Sequence, residues 1–492
     1  MLTVHHGGIL RLSEEHADEN LKESLGRWPY RYMFRDLQDN PKKNLLPELP
    51  TTISDLRRLG MEAMLDPADQ IPGVPVPTIY TFLGQFIDHD ITLMDDRGAQ
   101  ISLANPTPLD PDQIEKIVSA RSPNLDLDNV YGPNIEGQLS PTDPDDRRMM
   151  RIDRVEHDRG LPQGVKDVWH DLPRLNGTAL IGDPRDDENL ILAQLHVAFL
   201  RAHNAIVVER NCKFEEAQKL LIQHYQWLVL DDFLEQICDR GIVKTIRYKG
   251  QEFFKPTLEN LYMPLEFSVA AYRFGHSKVR PSYEQFNSLN AGGFDFLFGL
   301  TQQRLKDDWV ISWPSFLKTE NENRLSRRID TTLSFPLLYL DEKQLNGQDP
   351  TEGNLAVRNL LRGYIFKMPT GQAVAEKMAS RGIYPLTPEQ IMSVTAEIPI
   401  FGIGTQADFL NKLETNFFEK TPLWFYILAE AAFYSSGYHL GPVGSTIVAE
   451  VLIGILRNST HSILKEPDWK PSLGATPGKF DIEDLLKLAR VL

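Results

Sequence analysis

Residues 183–203 read DPRDDENLILAQLHVAFLRAH, and this stretch carries the clearest structural signal in the chain. Asp183 is a good N-cap, Pro184 suits the first helical position, and the acidic residues at 186–188 complement the positive end of a helix dipole. Apolar residues then recur at helical spacing over 190–199. The stretch therefore predicts one continuous helix over 183–203.

Helical patterns recur elsewhere, whereas alternating strand patterns are scarce. Helices are predicted at residues 78–93, 214–238, 267–276, 353–382 and 421–457. The N-terminal part is polar and interrupted, and no repeat or low-complexity tract divides the rest of the chain. We expect a mainly α fold with very little β structure, in which an N-terminal extension, residues 1–75, packs on one large helical domain, residues 76–492.

The composition excludes several classes of protein. The 492 residues include 52 basic and 68 acidic side chains, a formal charge of −16, so neither nucleic acid nor an anionic membrane surface is expected as the main partner. With two cysteines, Cys212 and Cys238, the chain is neither a disulfide-built scaffold nor a cysteine-clustered zinc or iron–sulfur protein.

The chain also lacks the features of a membrane or signal segment. Charged residues begin at Arg11 with no apolar run before them. The most apolar later stretches, 423–434 and 448–456, are shorter than the about 18 residues that a membrane span needs, and each contains a glutamate. We expect a soluble protein without a membrane span, cytoplasmic or exported without a recognisable signal peptide.

The segment GQFIDHD at 84–90 places reactive side chains on the first of these predicted helices. Gln85, Asp88 and His89 are three and four positions apart and share one helix face, whereas Asp90 lies about 100° further round. One face thus offers an amide, a carboxylate and a proton carrier. A solvated acidic helix end with a structural histidine explains the segment equally well.

Two further segments carry isolated candidates. Arg185 and Glu188 lie three positions apart at the start of the 183–203 helix, where a cation opposes the dipole, although a surface ion pair is the simpler explanation. His276 ends the segment AYRFGH, and Gly275 leaves room for a flat or bulky group beside its imidazole. By itself such a histidine is more often a packed core residue than a ligand.

The loop RSPNLDLDNVYG at 121–132 has oxygen-bearing side chains at the alternating positions 122, 124, 126 and 128. This pattern suits a hard cation such as calcium, which takes about six to eight oxygen ligands. It is not an EF-hand, because no glutamate follows at the required spacing. An Asx-rich turn without a cation is the alternative.

Together, these motifs and their order resemble the animal-type haem peroxidase family within the peroxidase–cyclooxygenase superfamily. Further similar segments are LHVAFLRAHN at 195–204, NLAVRN at 354–359 and LGPVGS at 440–445. The resemblance extends over about residues 70–490, and the absence of a signal and of disulfides is similar to bacterial members. It implies a helical haem peroxidase catalytic domain over residues 76–492.

The resemblance implies haem b as cofactor and hydrogen peroxide as substrate, with His89, Arg185 and Gln85 as catalytic residues. His89 would take a proton from peroxide and return it to the leaving oxygen. Arg185 would stabilise the negative charge that develops as the O–O bond breaks, and Gln85 would orient water, peroxide or a halide. A ferryl intermediate would then oxidise a halide, a phenol-like donor or another small organic donor.

The same resemblance implies how the haem is held. His276 would be the ligand of the haem iron, and Asn359 would hold its second ring nitrogen. Arg273 and Arg362 match residues that pair with haem propionates. The family often has an Arg-Asp-His-Gly tetrad after this asparagine, but residues 363–366 are GYIF here, which puts the nearby geometry in doubt.

Covalent attachment and a calcium site are implied as well. Asp88 and Glu188 match carboxylates that form ester bonds to haem methyl groups, whereas Asn189 stands where one vertebrate member has a methionine that forms a third link. The implied calcium ligands are Asp90, Ser122, Asn124 through its carbonyl group, Asp126 and Asp128. Position 122 is usually threonine and position 128 usually serine in the family, so this loop carries extra negative charge.

Two other functions are less consistent with these residues. A fatty-acid dioxygenase of the same superfamily needs a tyrosine three residues before the iron ligand, but Arg273 is at that position, and Tyr272 is expected to point elsewhere. A haem-free adhesion or scaffold protein would not need the two histidines and the arginine assigned to catalysis. His196 and His203 are seven positions apart and are expected to pack or cap rather than to bind metal.

Overall fold

The computed structural model describes residues 2–5, 9–12, 28–66, 73–95, 101–132, 141–283, 285–299, 303–317, 325–338, 353–459 and 461–492. Of the chain, 50% is helical and 11% is in strands, which confirms the predicted mainly α fold. The longer α-helices are Pro50–Arg58, Ile79–Ile91, Leu190–Arg210, Phe214–Trp227, Arg240–Lys249, Leu355–Ile365, Gly371–Lys377, Pro388–Thr395, Leu423–Ser435, Pro442–Asn458 and Ile482–Leu488.

Shorter helical elements connect these helices. Single α-turns are Pro41–Asn44, Pro111–Ile114, Asp128–Tyr131, Leu234–Ile237, Phe294–Gly299, Pro314–Leu317 and Gln406–Leu410. The 3₁₀ segments are Arg35–Asp39, Pro184–Asp187, Leu258–Asn260, Ala271–Lys278, Asp307–Trp309, Phe335–Leu338, Ala379–Arg381 and Ile463–Lys465. The π segments are Leu59–Ala63, Leu228–Phe233 and Glu266–Ala270.

The Leu190–Arg210 helix runs through the core. Sixteen of its 21 residues are buried, as expected for a helix that is apolar on all sides. Among the described residues it is the one helix long and apolar enough to cross a membrane, yet 83% of its most apolar window is buried inside the protein.

The predicted continuous helix over 183–203 was wrong at its start. Asp183 caps a separate 3₁₀ turn, Pro184–Asp187, by accepting the N–H of Arg185. The chain then extends at Asn189 (φ −144°, ψ 155°), whose side chain caps the α-helix by accepting the N–H of Leu192. Since each cap begins its own helix, Arg185 does not lie at the N-terminus of the α-helix, and the dipole does not explain it.

The other predicted helices differ from the structure in continuity or in regularity. The stretches 353–382 and 421–457 each contain two separate α-helices rather than one. The Ile79–Ile91 helix is a regular α-helix. The helix predicted over 214–238 is continuous but contains the π segment Leu228–Phe233. The helix predicted over 267–276 is a π segment, Glu266–Ala270, followed by the 3₁₀ segment Ala271–Lys278. Three residues per turn in that 3₁₀ segment align side chains three positions apart.

Short strands join distant parts of the chain. The largest sheet has the strand order Leu2–His5, Ile9–Leu12, Met94–Asp95, Val118–Ser119, Trp28–Arg31 and Met263–Pro264. Met94 and Trp28 both pair antiparallel with Ser119, and Met263 pairs parallel with Tyr30. The sheet therefore connects the end of the Ile79–Ile91 helix to the start of the segment that carries His276.

Five strand pairs complete the β structure of the described residues. They are Leu65–Asp66 with Leu333–Ser334, Gly73–Pro77 with Leu325–Arg327, Arg174–Leu175 with Thr178–Ala179, Ser282–Tyr283 with Gly292–Gly293, and Pro399–Ile400 with Gly404–Thr405. In the predicted N-terminal extension, the N–H groups of Met33 and Phe34 donate to the buried carboxylate of Glu266 at 2.7 and 3.0 Å. Residues 13–27 and 67–72 of that extension lie outside the described residues, and the boundary at 75 stays a prediction.

Candidate functional site

A cavity with about 900 Å³ of empty space brings together residues of the Ile79–Ile91 helix, the turn before Asn189 and the Ala271–Lys278 segment. Seven predicted site residues line it: Gln85, Asp88, His89, Arg185, Glu188, Arg273 and His276. The other lining residues are Tyr80, Thr81, Phe82, Gly84, Tyr272, Phe274, Gly275, Lys278, Val279, Phe298, Leu337 and Leu355. Polar groups at one cavity thus come from three separate parts of the sequence.

The Ile79–Ile91 helix presents its predicted face to this cavity. Gln85, Asp88 and His89 line the cavity, whereas Asp90 is buried outside its lining. The carboxylate of Asp88 accepts the hydroxyl of Thr92 at 2.9 Å and lies 3.5 Å from Nη1 of Arg273. Asp88 is therefore held between a hydroxyl donor and a guanidinium.

A buried carboxylate that the sequence motifs did not single out holds His89. Oδ1 of Asp186 lies 2.8 Å from Nδ1 of His89, and its Oδ2 lies 2.7 Å from Nδ1 of His196 and accepts the amide of Asn129 at 2.9 Å. Burial alone would raise the pKa of Asp186, but hydrogen bonds from both histidines hold the pKa below its usual value. Asp186 thus fixes His89 with Nδ1 as the donor, which leaves Nε2 as the proton acceptor.

The positive charge of Arg185 is balanced by Asp183, the residue that caps the same 3₁₀ turn. Its side chain is 1% exposed, and its Nη2 donates to Asp183 at 2.8 Å and to the carbonyl oxygen of Thr92 at 2.6 Å. Arg121 donates to the same Asp183 carboxylate at 3.0 Å. Burial would raise the pKa of Asp183, but the two guanidiniums hold it well below its usual range. The arginine is thereby fixed at the cavity as a permanently charged group.

His276 is held from the side that faces away from the cavity. The amide of Asn359 lies 2.8 Å from its Nδ1. A Cβ built on the neighbouring Gly275 would meet no described heavy atom within 4 Å, so the space beside the imidazole is open. Asn359 does not line the cavity, so it can affect a ligand there through its contact with His276.

The two predicted propionate partners differ in position. Arg273 lines the cavity and donates from Nε to the carbonyl oxygen of Ser268 at 2.8 Å. Arg362 is absent from the lining, and its Nη2 lies 3.0 Å from Sδ of Met94 while its guanidinium stacks on Phe366 at 5.7 Å. Arg273 alone of the two is therefore placed to meet a ligand in the cavity.

Tyr272 lines the cavity, although it was expected to point elsewhere. Its ring stacks on Phe267 at 4.7 Å, and the residue lines the cavity although it is one position from the predicted dioxygenase tyrosine. The reason is the 3₁₀ geometry, which brings Tyr272 and Gly275 onto one edge beside the edge that carries Arg273 and His276. An α-helical spacing does not place these residues in the same way.

The residues of the acidic loop meet behind the Ile79–Ile91 helix. The main-chain N–H of Asp128 donates to Oδ1 of Asp90 at 2.7 Å, and the hydroxyl of Ser122 lies 3.1 Å from Oδ2 of Asp128. Oδ1 of Asn124 and Oδ1 of Asp126 are buried and have no hydrogen-bond partner among the described residues. Oxygen atoms of the predicted set thus converge without enough donors.

Charge in this loop is correspondingly unbalanced. Burial raises the pKa of Asp90 and of Asp126 well above the usual value, and the carboxylate of Asp128 raises both further. Burial also raises the pKa of Asp128, although Arg121 opposes it. No group of three or more His, Cys, Asp or Glu side chains among the described residues forms a metal site by itself, so a cation here would also need hydroxyl, amide or main-chain oxygens.

Gly182 brings the acidic loop and the Arg185 turn together. A Cβ at Gly182 would lie 2.4 Å from the carbonyl oxygen of Asp128 and 2.6 Å from that of Asn129, so no larger residue fits. Arg121 also donates to the carbonyl oxygen of Gly182. The cavity residues and the acidic loop are therefore parts of one packed unit.

The two remaining histidine predictions agree with the structure. Nδ1 of His203 lies 2.9 Å from the hydroxyl of Tyr131, and its Nε2 lies 3.0 Å from the carbonyl oxygen of Arg148. His196 is fully buried against Asp186 and meets the ring of Phe86 edge-on at 6.2 Å. Both histidines pack, although His196 also supports the carboxylate that holds His89.

Comparison with known proteins finds a family model that matches part of the chain. Residues 103–310 match the family model described as "Animal haem peroxidase". This range includes Arg185, His276 and the acidic loop, whereas His89 and Asn359 lie outside it. The likeness to bacterial members in particular stays a prediction.

Curated relatives with similar sequences are peroxidases by name. The chain is 24% identical over 400 residues to a "Peroxidase-like protein" of Margaritifera margaritifera, covering 76% of this chain and 48% of the relative. It is 27% identical over 306 residues to "Thyroid peroxidase" of Rattus norvegicus, covering 56% of this chain and 31% of the relative. The chain thus spans half or less of the length of these two relatives.

Solved structures share the fold at low identity. Peroxidase A from Dictyostelium discoideum aligns with a TM-score of 0.52 and 17% identity, covering 85% of each chain. An Oryza sativa fatty acid alpha-dioxygenase aligns with a TM-score of 0.54 and 12% identity, covering 95% of this chain and 79% of that one. Since both branches share the architecture, the fold does not separate the two activities.

Proposed function

We propose that this chain is a member of the animal haem peroxidase family and a haem peroxidase that reduces hydrogen peroxide and oxidises a halide or a small organic donor. The observation that carries the proposal is that His89 and His276 line one cavity, each with its second ring nitrogen held by a buried side chain. That arrangement offers one imidazole as base and another as metal ligand.

The cavity residues fit a haem. Gly275 leaves open space beside His276, and aromatic and aliphatic side chains such as Phe82, Phe274 and Leu355 line the same cavity. The side-chain amide of Asn359, whose Nδ2 lies 2.8 Å from Nδ1 of His276, fixes the orientation of the ring and leaves Nε2 as the atom that would bind iron. When bound, the haem supplies the redox-active iron that exchanges electrons with peroxide and with the donor.

The protein supplies the general base, the general acid and a fixed positive charge for the reaction with peroxide. His89, oriented by Asp186, accepts a proton from hydrogen peroxide at Nε2 and returns it to the leaving oxygen as water forms. Arg185 stabilises the negative charge that develops on the oxygen atoms, at no reorganisation cost because Asp183 and main-chain carbonyls already hold it. Gln85, whose Oε1 accepts the amide of Asn189, orients the small molecules at this site.

Asp88 and Glu188 are proposed to attach the haem through ester bonds. Both carboxylates line the cavity. Each carboxylate would supply the ester oxygen, and the bound haem together with peroxide would supply the two-electron oxidation that the bond requires. The observed contacts of Asp88 with Thr92 and Arg273 would hold its carboxylate in place for this reaction.

We also propose that calcium binds the acidic loop. The two buried oxygens without partners, on Asn124 and Asp126, and the nearby carboxylate of Asp90 support the proposal because a hard cation would satisfy all of them. Ser122 and Asp128 would complete the oxygen set. Calcium would thereby fix the end of the Ile79–Ile91 helix and, with it, His89.

Optical spectroscopy tests the peroxidase proposal. Purified protein supplied with haem is expected to show a Soret band, and mixing with peroxide is expected to change it within milliseconds to seconds. His89→Ala should slow that change by about 10²- to 10⁴-fold while iron stays bound. His461→Ala, at an exposed histidine, is the matched control and should react like the wild type. A chain that takes up no haem would be the scaffold protein instead.

A dioxygenase remains the second candidate because Tyr272 lines the cavity. Its hydroxyl is buried with no hydrogen-bond partner among the described residues. Oxygen consumption with a long-chain fatty acid as the sole substrate distinguishes the activities, since a peroxidase turning over peroxide and a phenol consumes none of the dissolved oxygen. Consumption that Tyr272→Phe abolishes would favour the dioxygenase.

A further inference from the structure

One charged side chain of the cavity has no role in the mechanism above. Lys278 ends the Ala271–Lys278 segment, lines the cavity and is 1% exposed. Its Nζ has no hydrogen-bond partner among the described residues. An ammonium group in such a place has lost its water without gaining a protein acceptor, which is costly unless a ligand supplies one.

The backbone geometry places Lys278 on the same edge of the segment as Gly275. In a 3₁₀ segment, residues three apart lie on one edge, and both residues line the cavity. Apolar residues that line the same cavity, among them Val279, Phe298 and Leu337, offer the amine no acceptor. A buried amine without a partner therefore belongs to the lining of this cavity.

The charged groups of the cavity do not compensate Lys278. No carboxylate among the described residues accepts a hydrogen bond from its Nζ. Asp88 is engaged by Thr92 and Arg273. Lys278 thus differs from Arg185, which the carboxylate of Asp183 already neutralises.

We propose that Lys278 is an anion-binding residue of the cavity and that its Nζ recognises a carboxylate. The inference rests on the proposed function, because it takes the cavity to be the haem and donor site. A carboxylate, rather than an inorganic anion, fits an isolated cation among apolar side chains, since such a site suits a ligand with one charged end and an apolar body.

Two kinds of carboxylate could be the ligand of the Lys278 amine. One is a haem propionate, for which Lys278 would replace Arg362, the predicted partner that lies outside the cavity lining. The other is the carboxylate of an organic donor or a fatty acid. Both would form a charge-assisted hydrogen bond to Nζ.

Haem titration tests the first source. Apo-protein of the full chain is titrated with haem and with haem dimethyl ester, in which both propionates are neutral, and Soret absorbance gives the Kd. If Lys278 binds a propionate, Lys278→Met should weaken haem binding about 10- to 100-fold and should respond less to esterification than the wild type does. Lys278→Arg should restore the affinity in part because it keeps the charge.

Donor binding tests the second source. The holo-protein is titrated with 4-hydroxyphenylacetate and with its methyl ester, and the optical difference spectrum gives the Kd. If Lys278 binds the donor, the wild type should prefer the acid about 10-fold or more, and Lys278→Met should lose that preference while haem affinity stays unchanged.

The outcomes separate this inference from the proposed function. Lys244→Met, at an exposed lysine, is the matched control and should leave both titrations unchanged. Circular dichroism of the apo-proteins checks that Lys278→Met folds, which is expected because an apolar side chain replaces an uncompensated buried charge. Haem binding without any effect of Lys278→Met in either titration overturns the inference alone. No haem binding by the wild type overturns both proposals.

Discussion

The two sides of the Ile79–Ile91 helix differ in how buried charge is neutralised. On the side of His89, each carboxylate has cationic or N–H donors: Asp183 meets two arginines, and Asp186 meets two histidines and an amide. On the side of Asp90, three carboxylates meet with one arginine nearby, and oxygens remain without donors.

The difference indicates which side of the helix would need a bound cation to balance its charge. The carboxylates of Asp183 and Asp186 find their donors within the protein itself, so the catalytic geometry is held in advance. The acidic loop is incomplete, and a cation would finish it. Arg121 contacts both, because it donates to Asp183 and lowers the pKa of Asp128. Loss of the cation should therefore reach the network around His89.

The largest effect is expected from removing a partner of Asp183 in the network around His89. Arg185→Ala would leave Asp183 buried with Arg121 as its remaining cation, and removing one partner of a buried ion pair costs about 3–5 kcal/mol. Urea denaturation of the apo-protein measures the change in the free energy of unfolding. Arg148→Ala, at an exposed ion pair, is the control. A loss for Arg185→Ala no larger than that of the control would contradict the proposed network.

A smaller effect on the same side concerns His89 alone. Asp186→Asn keeps the shape but removes the negative charge between the two histidines, so the peroxide reaction should slow by about 10- to 100-fold. Stopped-flow spectroscopy of the holo-protein measures the rate. Asp187→Asn changes the adjacent carboxylate, which binds Arg174 instead, and should have a weaker effect on the rate. Equal rates in the wild type and Asp186→Asn would show that Asp186 does not orient the base.

Binding of calcium at the acidic loop should stabilise the protein. Calcium at about 100 times its Kd is expected to raise the free energy of unfolding by about 2.7 kcal/mol, and a chelator should reverse this. Asp126→Asn should reduce the response, whereas Asp146→Asn, at an exposed ion pair, should not. Thermal melts with calcium, with magnesium and with chelator measure it. Identical melting in all three conditions would mean that the loop is an Asx-rich turn without a cation.

Glu430 provides a third way of holding a buried carboxylate, with main-chain donors and no cation. The N–H groups of Val443 and Gly444 donate to it, and burial raises its pKa to about 8. The folded state therefore holds a proton that the unfolded state releases near pH 4.5, so stability falls as pH rises through this window, by at most about 1.4 kcal/mol per pH unit.

Glu430→Gln removes this titration and should flatten the dependence of stability on pH between about 5 and 8. Urea denaturation at several pH values measures the slope. Glu397→Gln, at an exposed glutamate, serves as the control and should keep the wild-type slope. An unchanged slope in Glu430→Gln would place the pKa of Glu430 near its ordinary value.

The smallest effect is expected at a polar group that has no protein partner. Tyr272→Phe removes such a hydroxyl and should change the free energy of unfolding of the apo-protein by no more than about 0.5 kcal/mol. Tyr80→Phe, in the same cavity, removes a hydroxyl that donates to Asp232 at 2.6 Å and should cost about 1.5–3 kcal/mol. Equal losses in the two variants would reveal a partner of Tyr272.

Regular helices could be predicted from the sequence because their signal is local. The spacing of Gln85, Asp88 and His89 indicated one shared face, and the structure places all three at the cavity. Where the backbone departs from α geometry, the same reasoning failed. The 183–203 stretch divides at Asn189, and the 3₁₀ segment brings Tyr272 to the cavity.

Partners across the chain could not be predicted in this way. Asp186 and His89 are 97 positions apart, and no spacing rule connects them. The second carboxylate of DPRDDEN was a signal for Asp186, but it suited a helix dipole equally well. Likewise, Lys278 and Arg362 differ in their access to the cavity only because of how their segments pack.

The sequence by itself determined the mainly α architecture, the family resemblance and the residue types that meet at the cavity. These follow from periodicity and from motifs, both of which are local in the chain. The tertiary structure decided which carboxylates neutralise which cations, and which polar groups keep no protein partner. Burial and distance set the strength of those interactions, and both arise only when distant segments pack together.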